Sequence, residues 1–259
     1  MSTSDATPSG TVLVETTGAV GRVTLNAPER LNAVDPEMCA AVAGAVRAFD
    51  ADPSVRVISI TGAGRGFCSG APLSADGATQ GTLFAGADLV RALLASRTPV
   101  VALVNGVAAG IGVPMALACD YVVASEAASF VLAFARIGLM PDGGSTALVA
   151  ASIGRARAMR LALTGEKLDA ATAADWGLVA ECVAAEDFPG RGEAVLAMLA
   201  AGATLALGQT KAAVNAASVD VEAALAREET GQIALMDTDD YREGVAAFLA
   251  KRKPAFKGK

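Results

Sequence analysis

The chain has 259 residues, 53% hydrophobic, 19% charged and 4% aromatic, ample for a sizeable core and too apolar for a disordered chain. Its 21 basic residues against 27 acidic ones give a formal charge of −6, which argues against the clustered cations of a nucleic-acid-binding surface. It contains no histidine, which excludes Ser-His-Asp triads, Cys-His dyads, His-ligated metals and a His general base, so proton transfer falls to Asp, Glu, Lys, Tyr, Cys or backbone groups.

Residues 1–10 are small and polar and read as a loose N-terminal tail with no secretion signal. Cys39, Cys68, Cys119 and Cys182 are far apart in the chain, without C-x-x-C spacing, and read as reduced thiols of a cytoplasmic protein. A hairpin is expected first, with strands at 12–16 and 22–26 across a turn at 18–21. Asp35-Pro36 has the form of an N-cap followed by proline at the first helical position, and Met38, Val42, Ala45, Val46 and Phe49 then recur at helical spacing. A strand at 55–61 runs into a glycine-rich loop at 62–73, and a helix is expected around 83–94. The uncharged stretch 99–119 is long enough to span a bilayer. Asn105-Gly106, Gly110, Gly112 and Pro114 break it up, so it reads as a buried strand at 100–104, a loop and a short helix at 113–118. A strand at 121–123 follows. Alternating strands and helices predict an α/β fold with parallel strands and crossover helices.

Beyond Gly154 helical segments dominate, at 155–163, 170–176, 193–200, 204–216, 221–236 and 241–252, interrupted by a β-like run at 178–183. The division expected is a β/α core over 11–200 and a helical region over 201–259. Trp176 reads as a core-packing residue, and Asp120, directly before a strand, as structural. Lys251, Arg252, Lys253, Lys257 and Lys259 make the end of the chain basic, either as a solvated terminus or as an attractor of phosphates.

Three loops carry candidate chemistry, since loops after strand ends in α/β sheets are where ligands usually bind. In 67–73, Gly66 and Gly70 permit a tight path that leaves the Ala71 amide free. In Gly110-Ile111-Gly112, before a helix, the Ile111 amide is an orphan donor of a helix N-terminus. Two amides aimed at one point form an oxyanion hole. In 139–146, Asp142 stands at the start of a helix, as a base or as the N-cap, and spacing alone favours the cap. Cys68 and Ser69 lack a base partner and do not read as nucleophiles; Asp76 is a rival carboxylate.

Three segments carry a resemblance: Phe67-Cys68-Ser69-Gly70-Ala71, Asn105-Gly106-Val107-Ala108-Ala109-Gly110-Ile111-Gly112 and Gly138-Leu139-Met140-Pro141-Asp142-Gly143-Gly144. With 25–33 and 240–252 they resemble the crotonase (enoyl-CoA hydratase/isomerase) superfamily, in order and over nearly the whole chain. Arg65 to Cys68, Gly154 to Met159 and the last twenty residues most resemble the bacterial 2-(1,2-epoxy-1,2-dihydrophenyl)acetyl-CoA isomerase type of phenylacetate catabolism. The resemblance implies a spiral of β-β-α turns with a C-terminal helical oligomerisation region, assembled as a homotrimer or a hexamer. It implies an acyl-CoA thioester as substrate and no resident cofactor beyond the CoA of that substrate; the lack of His and of C-x-x-C spacing and the broken 99–119 stretch lead to the expectation of no metal and no membrane insertion.

Carried over by position, the oxyanion amides are those of Ala71 and Ile111. The pantetheine and nucleotide of CoA lie along Arg30, Leu31, Ser69, Gly70, Ala71, Pro72 and Leu73, with Ile111, Phe134 and Pro141 also among the substrate- or CoA-binding residues and Phe248 and Lys251 on the CoA. Hydratases of the family use two glutamates, and the matching positions here are Pro114 and Phe134, which cannot titrate. Asp142 matches the acid/base carboxylate of several isomerases, so the resemblance favours an isomerase, with Asp142 in a pocket lined by Phe134, Ile111 and Met140. Pro72 replaces the usual Asp after the oxyanion alanine and leaves the Ala71 donor in place. The alternatives are an acyl-CoA-binding scaffold without turnover, or another reaction of the superfamily such as weak hydration or thioester hydrolysis.

Overall fold

The computed structural model describes residues 11–73 and 79–259; the expectations for residues 1–10 and for Asp76 lie outside them. Strands β1 (Val12–Thr17) and β2 (Val20–Leu25) form an antiparallel hairpin, with Gly18 at φ +60° in its turn. Helix α1 (Pro36–Ala51) begins as the sequence implies: the Asp35 side chain accepts the Met38 N–H at 2.8 Å. Its buried face is built on Met38, Val42, Val46 and Phe49.

Three strands then pair in parallel beside β2: β3 (Val57–Gly62), β5 (Val100–Val104) and β7 (Tyr121–Ser125), with β10 (Glu181–Val183) at the far edge. Each of β3, β5 and β7 leads directly into a short strand of a second sheet: β4 (Gly66–Cys68), β6 (Val107–Ala109) and β8 (Ser129–Val131). An antiparallel fourth strand, β9 (Lys167–Asp169), closes the second sheet. Helices α2 (Gln80–Ala95) and α3 (Gly112–Leu117) follow β4 and β6, and after β8 a 3-10 turn, Ala133–Ile137, precedes α4 (Ser145–Thr164). The chain thus repeats a β-β-α turn, and the loops leaving β4 and β6 lie side by side because those strands pair in parallel.

The second sheet corrects the reading of 62–73 and 105–112 as irregular loops. A three-residue strand carries too little periodicity to be seen in sequence; pairing in a buried layer makes it regular. Two side-chain amides brace the junction. Asn32, fully buried, donates to the Ala63 and Gly66 carbonyls and accepts the Ala27 N–H. Asn105 donates to Gly64 and Gly66 and accepts the Gly62 N–H.

Helix α4 starts ten residues before the 155–163 segment read from the sequence and is interrupted at Gly154, whose backbone (φ +76°, ψ 160°) is not helical. The remaining helices are α5 (Ala170–Trp176), α6 (Phe188–Ala201), α7 (Thr204–Ser218), α8 (Val221–Met236) and α9 (Asp239–Leu249). Helix α9 stops short of the expected residue 252. The basic end of the chain folds back on it, with Arg252 paired to Glu243 and the Lys257 and Gly258 N–H groups donated to Asp240. Asp120 is structural, accepting the Val100 N–H and the buried Lys211 ammonium, each at 2.7 Å. Trp176 packs against the core with Arg157 stacked 4.8 Å from its ring centre. Among the described residues no single helix is long and apolar enough to cross a membrane.

Candidate active site

A cavity of about 490 Å³ opens where the β4 and β6 loops, the 3-10 turn, α8 and α9 converge. Its wall includes Leu31, Ser69, Gly70, Ala71, Pro72, Leu73, Ile111, Phe134, Asp142 and Phe248, ten of the residues singled out in the sequence. Arg30, Pro141 and Lys251 are not on the wall. Arg30 pairs with Asp35 at 3.1 Å, Pro141 is buried, and Lys251 stands exposed after α9 with φ +52°. Met140 is a correction too: its sulfur packs against Gly231 of α8, where a Cβ would not fit, rather than into the cavity.

The backbone amides of Ala71 and Ile111 stand at this wall with no hydrogen-bond partner among the described residues. The turn before each is made by a glycine in the left-handed region, Gly70 at φ +102° and Gly110 at φ +54°, where an L side chain is strained. The Gly70 loop is strapped from below: the Val34 N–H donates to the Gly70 carbonyl at 2.8 Å and the Ser69 N–H to the Leu31 carbonyl at 3.0 Å. On the other side, the Gly110 N–H donates to the Val131 carbonyl of β8. Unspent N–H groups on a fixed frame can stabilise negative charge that develops on a ligand oxygen. The Ile111 side chain fills the space beside Gly86 and Gly143, so its bulk closes one side of the cavity without removing its N–H.

Asp142 is not the N-cap of α4. That place is held by Gly144 in the left-handed conformation, with no side-chain cap of its own. The free N–H groups of the helix go instead to Glu228 of α8, which is 1% exposed. Glu228 accepts from Gly144 at 2.6 Å, from the Thr146 N–H at 2.8 Å and from the Thr146 hydroxyl at 2.5 Å. Burial pushes Glu228 up, and these three donors at the positive end of the helix work against it in favour of the carboxylate.

With the cap supplied from elsewhere, the Asp142 carboxyl is left at the cavity. Its Oδ2 accepts a hydrogen bond from Gln232 Nε2 at 2.9 Å, while Oδ1 is buried without a partner among the described residues. Burial, and secondarily the negative charge of Glu228, push Asp142 up to about 7, against the lowering effect of the Gln232 hydrogen bond. A carboxyl balanced near neutrality in an apolar cavity can both accept and return a proton. No second acidic side chain lines the cavity among the described residues. Cys68, fully buried, is pushed up to about 12 by burial and is no nucleophile at neutral pH.

Glu228 and Gln232 were not among the residues the sequence pointed to. The signal was present: on the inward stripe of α8, at the i, i+3 and i+7 positions 225, 228 and 232, two polar residues stand where Leu225 sets an apolar pattern. Polar groups in a buried stripe are kept only with partners.

The fold and site define an acyl-CoA enzyme of the crotonase type, and the sequence comparisons agree. The enoyl-CoA hydratase/isomerase family model matches residues 15–259, and the chain belongs to that family. It is 41% identical to 1,2-epoxyphenylacetyl-CoA isomerase of Escherichia coli K12, covering 92% of this chain and 94% of that protein. It is also 41% identical to a probable enoyl-CoA hydratase of Rhodobacter capsulatus, over 96% and 98% of the two chains. A solved enoyl-CoA hydratase structure from Mycobacterium avium subsp. paratuberculosis superposes with a TM-score of 0.92 at 45% identity, over 96% of this chain and all of that one.

Proposed function

We propose that this enzyme isomerises an enoyl-CoA or an epoxyphenylacetyl-CoA type thioester, with Asp142 as its single acid/base group. The observation that carries this reading is a carboxyl with one unpartnered oxygen, balanced near pH 7, on an apolar cavity wall that carries no other acid among the described residues. In a 3-enoyl thioester, Asp142 takes a proton from C2 as the double bond shifts, and the thioester oxygen becomes an enolate held by the Ala71 and Ile111 amides. Return of that proton to C4 leaves the 2-enoyl thioester and restores the carboxylate, so one base is sufficient. For an epoxide the same amides would hold charge during ring rearrangement.

Hydration needs a second group to activate water, and the wall offers Phe134 instead, with Pro114 packed behind Gly143. Glu228, the nearest buried carboxylate, is spent on the start of α4. CoA contact by Phe248, which is 59% exposed at the cavity, and by Arg30, Pro141 and Lys251 belongs to the same proposal. So does assembly as a trimer or hexamer, supported by exposed Leu163 and Leu205. A cytoplasmic location is supported by four free cysteines.

The test is conversion of a 3-enoyl-CoA to its 2-enoyl isomer by the wild type and by Asp142→Asn. Loss of turnover in the variant with CoA binding retained supports the reading. Equal turnover in both refutes it.

A further inference from the structure

Gln232 is fully buried on α8, on the same inward face as Leu225 and Glu228. A buried amide is costly unless its polar atoms are paired: both hydrogens are, Nε2 donating to the Met140 carbonyl at 2.7 Å and to Asp142 Oδ2 at 2.9 Å, while Oε1 is buried without a partner among the described residues. The Met140 carbonyl can only accept, so it fixes which end of the amide faces the 140–142 segment. Turned over, Gln232 would set its oxygen against that carbonyl. The donor to Asp142 is therefore present whatever the protonation state of the carboxyl, and it is the only side chain that donates to Asp142 among the described residues.

Among the described residues no other side chain lowers Asp142. Glu228 on α8 raises it, and Cys39 on α1 is a neutral thiol pushed up to about 12. Arg136 stands on the cavity wall but is exposed, where water screens its field.

We propose that Gln232 is the positioning residue of the proton shuttle: anchored on the Met140 carbonyl, it holds the Asp142 carboxyl in place and sustains the charged form that takes up a proton. This rests on the isomerase reading above. A purely structural Gln232 would tie α8 to the 140–142 segment and leave the ionisation of Asp142 untouched.

The experiment compares wild type, Gln232→Met, the isosteric Gln232→Glu and Asp142→Asn, each checked for folding by circular dichroism. Two readouts are taken: the pH profile of kcat/KM with a 3-enoyl-CoA, and the infrared carboxyl band that disappears in Asp142→Asn. In Gln232→Met both the acidic limb and the infrared titration are expected to move up by about one pH unit, the worth of a hydrogen bond to a charged group. At pH 7 the ionised fraction then falls roughly five-fold, and kcat drops further through lost orientation while KM stays within about two-fold. In Gln232→Glu the donor becomes an acid competing for the same proton, and the band shifts up as well. A folded Gln232→Met or Gln232→Glu whose infrared titration stays at the wild-type pH overturns the proposal, whatever its turnover. Turnover retained in Asp142→Asn overturns the isomerase reading instead, and the infrared titration still decides the role of Gln232.

Discussion

Gly70 and Gly110 pack backbone to backbone, so closely that a Cβ on Gly110 would lie 3.4 Å from the Gly70 Cα. Each is in the left-handed region, and each is followed by an amide without a hydrogen-bond partner among the described residues, that of Ala71 or of Ile111. Parallel pairing of β4 with β6 brings the two turns together.

Substituting Gly70→Ala tests that arrangement. A Cβ there meets the Ala109 carbonyl oxygen at 3.2 Å, and φ of +102° is strained for any L residue. The expected result is a loss of about 1–2 kcal/mol of stability and a fall in kcat of roughly 10²-fold, as the Ala71 N–H is displaced. Denaturant titration and steady-state kinetics measure the two; an unchanged kcat would remove the Ala71 amide from the mechanism.

Asp142 predicts a pH-dependent stability. Its carboxyl sits at about 7 in the folded protein against an ordinary value of 3.8. Between these values the folded chain keeps a proton that the unfolded chain has released, so stability falls as pH rises through this window, and the loss is complete above about pH 7. Asp142→Asn carries no such charge. Relative to wild type it should gain stability from pH 4 to pH 8, by up to about 4 kcal/mol. Urea unfolding at both pH values checks this, and a difference independent of pH contradicts it.

Glu228→Gln should act in two ways. It leaves the N–H groups of Gly144 and Thr146 poorly matched, at a cost of about 1–3 kcal/mol. It also removes the negative charge that opposes ionisation of Asp142, so the acidic limb of the kcat/KM profile should move down in pH, opposite to the direction expected for Gln232→Met.

Ile111→Ala keeps the backbone N–H and removes the side chain that fills the space at Gly86 and Gly143. A large-to-small change at this buried site should cost about 2–4 kcal/mol. The enlarged cavity should raise kcat/KM for acyl groups with bulkier rings relative to linear ones. Competition between the two substrate types gives this ratio directly.

Much of the fold is legible in the chain because its signals are local. Asp35-Pro36 caps α1 through a bond spanning three residues, and the β-branched run at 100–104 is a buried strand wherever it is placed. The glycine turns before Ala71 and Ile111 are equally local, since a positive φ is a property of one residue. Resemblance then singled out Asp142, which spacing alone had read as a helix cap.

What the chain could not disclose by itself depends on partners distant in sequence. The start of α4 is capped by Glu228, 84 residues after Gly144, and Asp142 receives its hydrogen bond from Gln232, 90 residues away. The second sheet is built from strands of three residues, too short to show a period until they pair. The amino-acid sequence determined which residue types could move a proton, by the absence of histidine and the presence of Asp142. Only the tertiary structure decided which of Asp142's roles is free, because burial and the supply of hydrogen-bond donors are set by what packs against a side chain, not by its neighbours along the chain.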